Sequence, residues 1–308
     1  MTRVLLITNP VAARTEARAV TAVRETLRAA GWSVDVAATA AAGDARRLAE
    51  RGREEGYDAL LSYGGDGTAM QVAAAVAGTG IPLGLLPGGT GNVLARNLRL
   101  PRNPVAAARA ILRRAPHTID LGVVERVDGA HYFAVCCGAG FDATLMARTD
   151  AASKARWRRA AYVREALAAW PHVRNATYHI CIDGDEQRVE AAMVLVCNCA
   201  DLMPPLLRLH RDIRPDDGVF DVMVLRADNP WQSVTAFAEL KLGAKRDGRG
   251  QIRFVRGRTV RIAMEGSPIP TQLDGEVVGT TPLEARIVPG ALTVLVDPDT
   301  VPGGVLRG

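Results

Sequence analysis

The chain has no run of about eighteen apolar residues, so nothing in it reads as a membrane-spanning helix. Its start, Met1-Thr2-Arg3-Val4-Leu5-Leu6-Ile7, passes straight into a strand-like segment without the small-residue cleavage site that export would need. Five cysteines, Cys136, Cys137, Cys181, Cys197 and Cys199, include no Cys-x-x-Cys pair. Their odd number argues against a disulfide framework and for reduced, partly buried strand residues. The five histidines lack His-Glu-x-x-His or any other metal spacing, which argues against zinc chemistry. No internal repeat or low-complexity linker is visible. What remains is ordinary globular usage over 308 residues, with 48% hydrophobic and 23% charged residues, enough for two cores. A formal net charge of +5 makes attraction to anionic surfaces mild, and no recognition motif points to nucleic acid.

Two glycine-rich segments stand out, Gly64-Gly65-Asp66-Gly67-Thr68 and Pro87-Gly88-Gly89-Thr90-Gly91-Asn92. Each follows an apolar run short enough for a buried strand, Tyr57 to Tyr63 and Ile81 to Leu86, and each precedes a helical stretch. Glycine at a strand-to-helix turn lets an anionic ligand approach the backbone, and the free amides at the helix start attract phosphate. The six residues Gly64 to Ala69 fit neither the Gly-x-Gly-x-x-Gly dinucleotide form nor the P-loop ending in Gly-Lys-Ser/Thr. Two neighbouring strand ends would face one crevice, where open α/β sheets bind ligands. Asp66 inside the first loop suggests a metal ion or a ribose hydroxyl beside the phosphates.

The pattern divides near residue 122. Before it, strand-like runs alternate with alanine-rich helical stretches over Thr15 to Ala30, Gly43 to Glu55, Thr68 to Ala77 and Pro104 to Ala115, which predicts a parallel sheet covered by helices. After it come short alternating runs at Tyr132 to Cys137, Thr177 to Ile182, Met193 to Cys197, Phe220 to Leu225, Ile252 to Val255, Thr259 to Met264 and Ala291 to Val296. These predict antiparallel strands of a β-rich, sandwich-like domain. Asp-Gly at 128–129, 183–184, 217–218 and 274–275 reads on pattern alone as hairpin turns. The expected organisation is an α/β nucleotide-binding domain over 1–122, a β-rich substrate domain over 123–300 and a tail over 301–308.

The ordered set of segments resembles the catalytic domain of diacylglycerol kinases, sphingosine kinases and related bacterial soluble lipid kinases. The two glycine segments carry the resemblance, with Leu94-Ala95-Arg96, Thr8-Asn9-Pro10, Thr39 with Gly43-Asp44-Ala45, and Gly138 to Ala143. Asp217-Gly218-Val219-Phe220-Asp221-Val222 and Leu273-Asp274-Gly275-Glu276 continue it in the same order, so it spans nearly the whole chain. It implies an ATP-dependent, Mg²⁺-requiring lipid kinase. Gly64, Gly65, Gly67 and Thr68 would hold the phosphates, Asp66 the nucleotide or a metal, and Asn9, Thr39 and Thr90 the nucleotide, with Asn92 and Arg96 as further candidates. The resemblance also implies a resident magnesium held by the Asp217 carboxylate and the backbone carbonyls of Arg214 and Val219. It implies Glu276 as the base that takes the lipid hydroxyl proton, Asp274 as an organiser of metal or water nearby, and Asp142 as part of the same network.

A lipid substrate would require a cytoplasmic protein to visit the inner membrane surface. Between Ser153 and Trp170, five basic residues accompany Trp157, Val163, Leu167 and Trp170 at helical spacing, a stripe that either packs on the β-rich domain or lies on anionic lipid. Lys245, Arg246, Arg249 and Arg253 read as an exposed basic loop. Where several family members carry a glycine triplet, this chain has Ala200-Asp201-Leu202-Met203-Pro204-Pro205-Leu206-Leu207, a loop expected to border the lipid groove. The acceptor is therefore open among diacylglycerol, a sphingoid base, a phosphatidylglycerol-like lipid and another hydroxylated amphiphile. Alternatives are an NAD kinase-like enzyme, which shares the first glycine motif, and a catalytically silent lipid-binding protein. A homodimer through an exposed strand edge is a further expectation.

Overall fold

A computed structural model describes residues 1–113, 115–140, 174–203, 207–210, 212–242 and 250–296. The Ser153 to Trp170 stripe, Asp142, Pro204 to Leu206 and the basic residues Lys245, Arg246 and Arg249 lie outside them. The chain forms two compact units, one made of residues 1–120 and 290–308 and the other of residues 121–289.

The first unit alternates strand and helix: β1 (Arg3–Thr8), α1 (Ala17–Ala29), β2 (Ser33–Ala38), α2 (Asp44–Glu54), β3 (Ala59–Gly64), α3 (Asp66–Val76), β4 (Leu83–Pro87), α4 (Val93–Asn97) and α5 (Pro104–Ile111). Its strands lie in the order β2-β1-β3-β4, all parallel. Every residue of β3 and β4 is buried, which is why both read as unbroken apolar runs. The helices pack one apolar stripe inward, as Val23 and Leu27 of α1 do four residues apart. Pro104 opens α5 at a position where its missing N–H costs nothing, and the Asn103 side chain accepts from the Ala106 amide at 3.0 Å. Val4, Leu6, Leu61, Tyr63 and Leu86 join Val23, Leu27 and Ile111 in one core. Each such side chain contributes roughly 1.5–3 kcal/mol by leaving water.

The second unit contains β5 (Ala115–Arg126), β6 (Gly129–Phe133), β7 (Cys136–Gly140), β8 (Ala176–Ile182), β9 (Asp185–Ala191), β10 (Met193–Cys197), β11 (Asp201–Met203), β12 (Leu207–Arg208), β13 (Phe220–Leu225), α6 (Pro230–Leu242), β14 (Ile252–Gly257), β15 (Thr259–Met264), β16 (Pro270–Leu273), β17 (Glu276–Thr280) and β18 (Leu283–Val296); β5 begins and β18 ends in the first unit. One layer runs β14-β13-β10-β7-β16-β17 and is antiparallel throughout. The other includes β8, β9, β15 and the start of β18. Val194, Val196, Phe220 and Val222 from one layer meet Tyr178, Ile180, Val260 and Ile262 from the other in a single apolar core. No cysteine is disulfide-bonded; four are buried, and burial pushes the Cys137 and Cys199 thiols well above their ordinary range.

Three expectations are corrected. Ala291 to Val296 does not end an antiparallel strand of the second unit: Val294 lies parallel to Leu83 of β4, in the first unit. Its apolar run Ala-Leu-Thr-Val-Leu-Val suits a buried parallel strand as well as an antiparallel one. Tyr132 to Cys137 is two strands broken at Ala134 and Val135, whose amides donate to the Asp274 carboxylate. Asp128-Gly129, Asp183-Gly184 and Asp274-Gly275 turn hairpins, but Asp217-Gly218 lies in a bend leading into β13.

Candidate functional site

The order β2-β1-β3-β4 reverses direction between β1 and β3, and at such a switch point the loops leaving the carboxyl ends diverge and open a crevice. The strands end level there, with Thr8 opposite both Ala38 and Tyr63, and Gly64 opposite Pro87. Backbone bonds stitch the departing loops together. The Asn9 amide donates to the Tyr63 carbonyl (2.9 Å), Thr39 to Thr8 (2.9 Å), Gly88 to Gly64 (2.8 Å) and Arg14 to Gly88 (2.8 Å). The Asn9 side-chain amide donates to the Thr68 hydroxyl at 3.0 Å, tying the end of β1 to the first turn of α3. The structure thus brings Asn9, Thr39, Gly64, Gly65, Gly67, Thr68 and Thr90 to one edge of one sheet.

The glycines are there because backbone meets backbone or a side chain fills the space. A Cβ on Gly89 would lie 2.6 Å from the Gly65 Cα, and one on Gly64 would lie 2.7 Å from the Thr68 hydroxyl oxygen. Gly65 is extended just ahead of α3, so Asp66, Gly67 and Thr68 form the helix's first turn. Its amides point out of the helix start, where the dipole favours an anion.

Asp66, expected to contact the nucleotide or a metal, also makes a contact within the protein. Its carboxylate accepts from the Val93 amide at 2.5 Å, at the start of α4, and a Cβ on Gly91 would lie 2.5 Å from its other oxygen. Asp66 therefore joins the two glycine segments by capping the second segment's helix. Burial raises its pKa, opposed by the amides of Val93, Leu94 and Asn92. Asn92 takes the left-handed conformation (φ 48°) that asparagine tolerates, and its side chain accepts from the Gly89 amide (2.9 Å) and donates to the Gly89 carbonyl (2.6 Å). It is a brace for the loop.

The structure adds two further supports, of which only Asp44 lies in a segment that the family resemblance marked. The Tyr63 hydroxyl donates to the Arg14 carbonyl at 2.9 Å, a bond that a buried tyrosine needs and its position in an apolar run does not announce. Asp44 accepts from the Ala40 and Ala41 amides at 2.8 and 2.9 Å and pairs with Arg47, shaping the loop that begins at Thr39. The Arg47 hydrogen bond, with those two amides, lowers the Asp44 pKa to about 2.

In the second unit, Asp274 and Gly275 both have positive φ (47° and 87°), the two-residue turn that joins β16 to β17. The Asp274 carboxylate accepts from the amides of Ala134 and Val135 (both 2.8 Å) and Cys136 (2.9 Å), and its own amide donates to the Cys136 carbonyl. These bonds take the Ala134-Val135 amides out of any strand ladder, which is why β6 and β7 separate there. Glu276 begins β17 exposed, and its carboxylate has no partner among the described residues. Asp217 accepts from the Val219 amide at 3.3 Å and faces the Arg256 guanidinium at 3.3 Å, while Arg214 turns its side chain to Asp216 at 3.0 Å. A guanidinium on the one side-chain ligand expected for a resident magnesium does not fit a divalent cation there. Among the described residues, no group of three His, Cys, Asp or Glu side chains is arranged to hold a metal.

Two family profiles match the chain, the second running into the last strand of the first unit. Residues 3–124 match the sequence profile of the diacylglycerol kinase catalytic domain, and residues 135–296 that of the YegS C-terminal NAD kinase beta sandwich-like domain. A Mycobacterium tuberculosis protein named diacylglycerol kinase is 31% identical over 258 residues, 82% of each chain. A Pseudomonas aeruginosa protein named probable lipid kinase YegS-like is 32% identical over 94% of this chain and 92% of its own. A crystal structure of a diacylglycerol kinase from Bacillus anthracis str. Sterne has the same fold, with a TM-score of 0.75 over 97% of this chain and 98% of that one at 22% identity.

Proposed function

The chain belongs to the diacylglycerol kinase catalytic-domain family, and on that premise we propose that it transfers the γ-phosphoryl group of ATP to the hydroxyl of a lipid. The observation that carries the reading is the interlocked pair of glycine segments, Gly64 to Thr68 and Gly88 to Asn92, at the carboxyl ends of adjacent parallel strands. Phosphoryl transfer needs positioning and charge neutralisation more than covalent chemistry. The amides of Gly65, Gly67 and Thr68 at the start of α3 suit the phosphates, and the bare glycine backbone lets them approach. Asn9 orients the Thr68 hydroxyl through their 3.0 Å bond, and Thr39 and Thr90 contact the nucleotide. Asp66 and Asn92 hold the two loops in register. Mg²⁺ arrives bound to ATP as part of that substrate.

The Glu276 carboxylate, exposed and without a competing partner among the described residues, takes the proton from the lipid hydroxyl as the phosphoryl group transfers. Asp274 positions the hairpin that carries it. The relatives' names make diacylglycerol the first acceptor to try. Among the described helices none is long and apolar enough to cross a membrane, which fits contact with lipid from one side.

The test is transfer of labelled γ-phosphate from MgATP to diacylglycerol, sphingoid bases and phosphatidylglycerol in mixed micelles, with NAD as a control acceptor. Label on one lipid class, lost in Glu276→Gln, is the expected result. Label on NAD alone, or on nothing, would overturn the proposal.

A further inference from the structure

The bend before β13 holds its own cation, supplied by the chain. Register sets Arg256 of β14 directly opposite Asp221 of β13. From there its guanidinium reaches the Asp221 carboxylate at 3.3 Å, the Asp217 carboxylate at 3.3 Å and the Asp212 carbonyl at 3.2 Å. Two carboxylates and one backbone carbonyl make the kind of all-oxygen set that a hard divalent cation takes. They also suit a guanidinium, whose planar fork of donors can serve several oxygens at once. Asp221 is only 1% exposed, and a carboxylate so buried needs a positive partner in place. Of the other two acids in this segment, Asp212 lies beside His210 and Asp216 is paired with Arg214, whose pKa that hydrogen bond raises.

We propose that Arg256 takes the place of a resident divalent cation in the Asp217 bend, so that this unit holds the loop without bound metal. The proposal concerns a charge inside the second unit and goes beyond the kinase reading. A metal ion on Asp217 would meet the guanidinium's like charge and would have to displace it from an oxygen it already contacts. Removing that side chain takes the guanidinium away from the Asp217 and Asp221 carboxylates and makes the place available to a metal.

The experiment is a Mn²⁺ titration of the full chain, stripped with chelator and free of nucleotide, followed by calorimetry and by thermal unfolding. Without nucleotide, the result does not depend on whether the chain is a kinase. The wild type is expected to show no stoichiometric Mn²⁺ binding and the same Tm in chelator and in Mg²⁺. Arg256→Met is expected to gain a site in the range of weak oxygen-ligand sites, roughly 10⁻⁴–10⁻³ M, and a Tm that rises with the ion. Adding Asp217→Asn should remove both. Arg256→Lys keeps one charge in place and should remain metal-free. One equivalent of Mn²⁺ on the wild type that Asp217→Asn abolishes would overturn the proposal, as would a folded Arg256→Met that binds no better than wild type. Should Arg256→Met fail to fold, the wild-type titration decides alone, supporting the proposal if no site appears and ending it if one does.

Discussion

Gly65 and Gly89 touch backbone to backbone: a Cβ on Gly89 would come within 2.6 Å of the Gly65 Cα, closer than real side chains approach. The two glycine segments are thus one object, and a change in either moves both.

Gly89→Ala therefore has to push the first segment away from α3's first turn. Forced contacts of this kind cost typically about 1–3 kcal/mol, and the displacement falls on the amides proposed to hold the phosphates. The expected outcome is a loss of stability in that range by urea unfolding, with a larger loss of affinity for a fluorescent ATP analogue than Gly78→Ala produces. Gly78 lies away from the segments, so its strain at φ 73° is a control for destabilisation alone.

Asp66 separates capping from ligand contact. Asp66→Ala removes the acceptor at the start of α4 and should cost about 1 kcal/mol, the usual size of a lost cap, whereas Asp66→Asn keeps an oxygen for the Val93 amide. Because burial raises the Asp66 pKa, the folded state holds this proton more tightly than the unfolded one. Its contribution then becomes less favourable as pH rises from the ordinary carboxylate value of 3.8 through the folded pKa. Asp66→Asn should flatten that part of the stability profile, measured by urea unfolding in steps across the acid range.

The first unit was largely legible because its signals are local. Alternating strands and helices, and glycines at strand-to-helix turns, all lie within short stretches, so Gly64 to Thr68 could be placed at a strand end from pattern, whereas Asn9 and Thr39 were marked only by the family resemblance. The contact of Asp66 with the start of α4 was not legible, because nothing local marks a helix start 27 residues on as its partner. The parallel pairing of Val294 with Leu83 joins residues over two hundred positions apart, and no local pattern specifies it. Likewise, Arg256 carried no signal in a basic stretch. Its partners follow from the β13–β14 register, which is a property of the folded sheet.

Asp44 gives a prediction of opposite sign. With its pKa lowered to about 2 by Arg47 and the Ala40 and Ala41 amides, it contributes stability that is present above the ordinary value of 3.8 and is lost as pH falls toward about 2. Asp44→Asn should remove that dependence, so the wild-type and variant stability curves should converge as pH falls across this window. Curves that stay parallel would show that Asp44 does not hold the loop after Thr39.

Asp274 and Glu276 sit two residues apart on one hairpin and should fail in different ways. Asp274 accepts three backbone amides, and hydrogen bonds to a charged group are worth about 1.5–3 kcal/mol each when one partner is removed. Asp274→Ala leaves all three amides without their acceptor, so a loss of at least about 3 kcal/mol is expected, with β6, β7 and the hairpin loosening together in hydrogen exchange. Glu276 is exposed and its carboxylate has no hydrogen bond or ion pair among the described residues, so Glu276→Gln should change stability by no more than about 0.5 kcal/mol. Its transfer rate to lipid should nonetheless fall by roughly 10²–10⁴, the scale of a lost general base, with affinity for ATP unchanged. A Glu276→Gln protein that is stable and still transfers phosphate at the wild-type rate would remove Glu276 from the chemistry and send the search for the base elsewhere. A loss of transfer in Asp274→Ala, by contrast, would speak only to the hairpin's position, because that variant also loses the bonds that hold it.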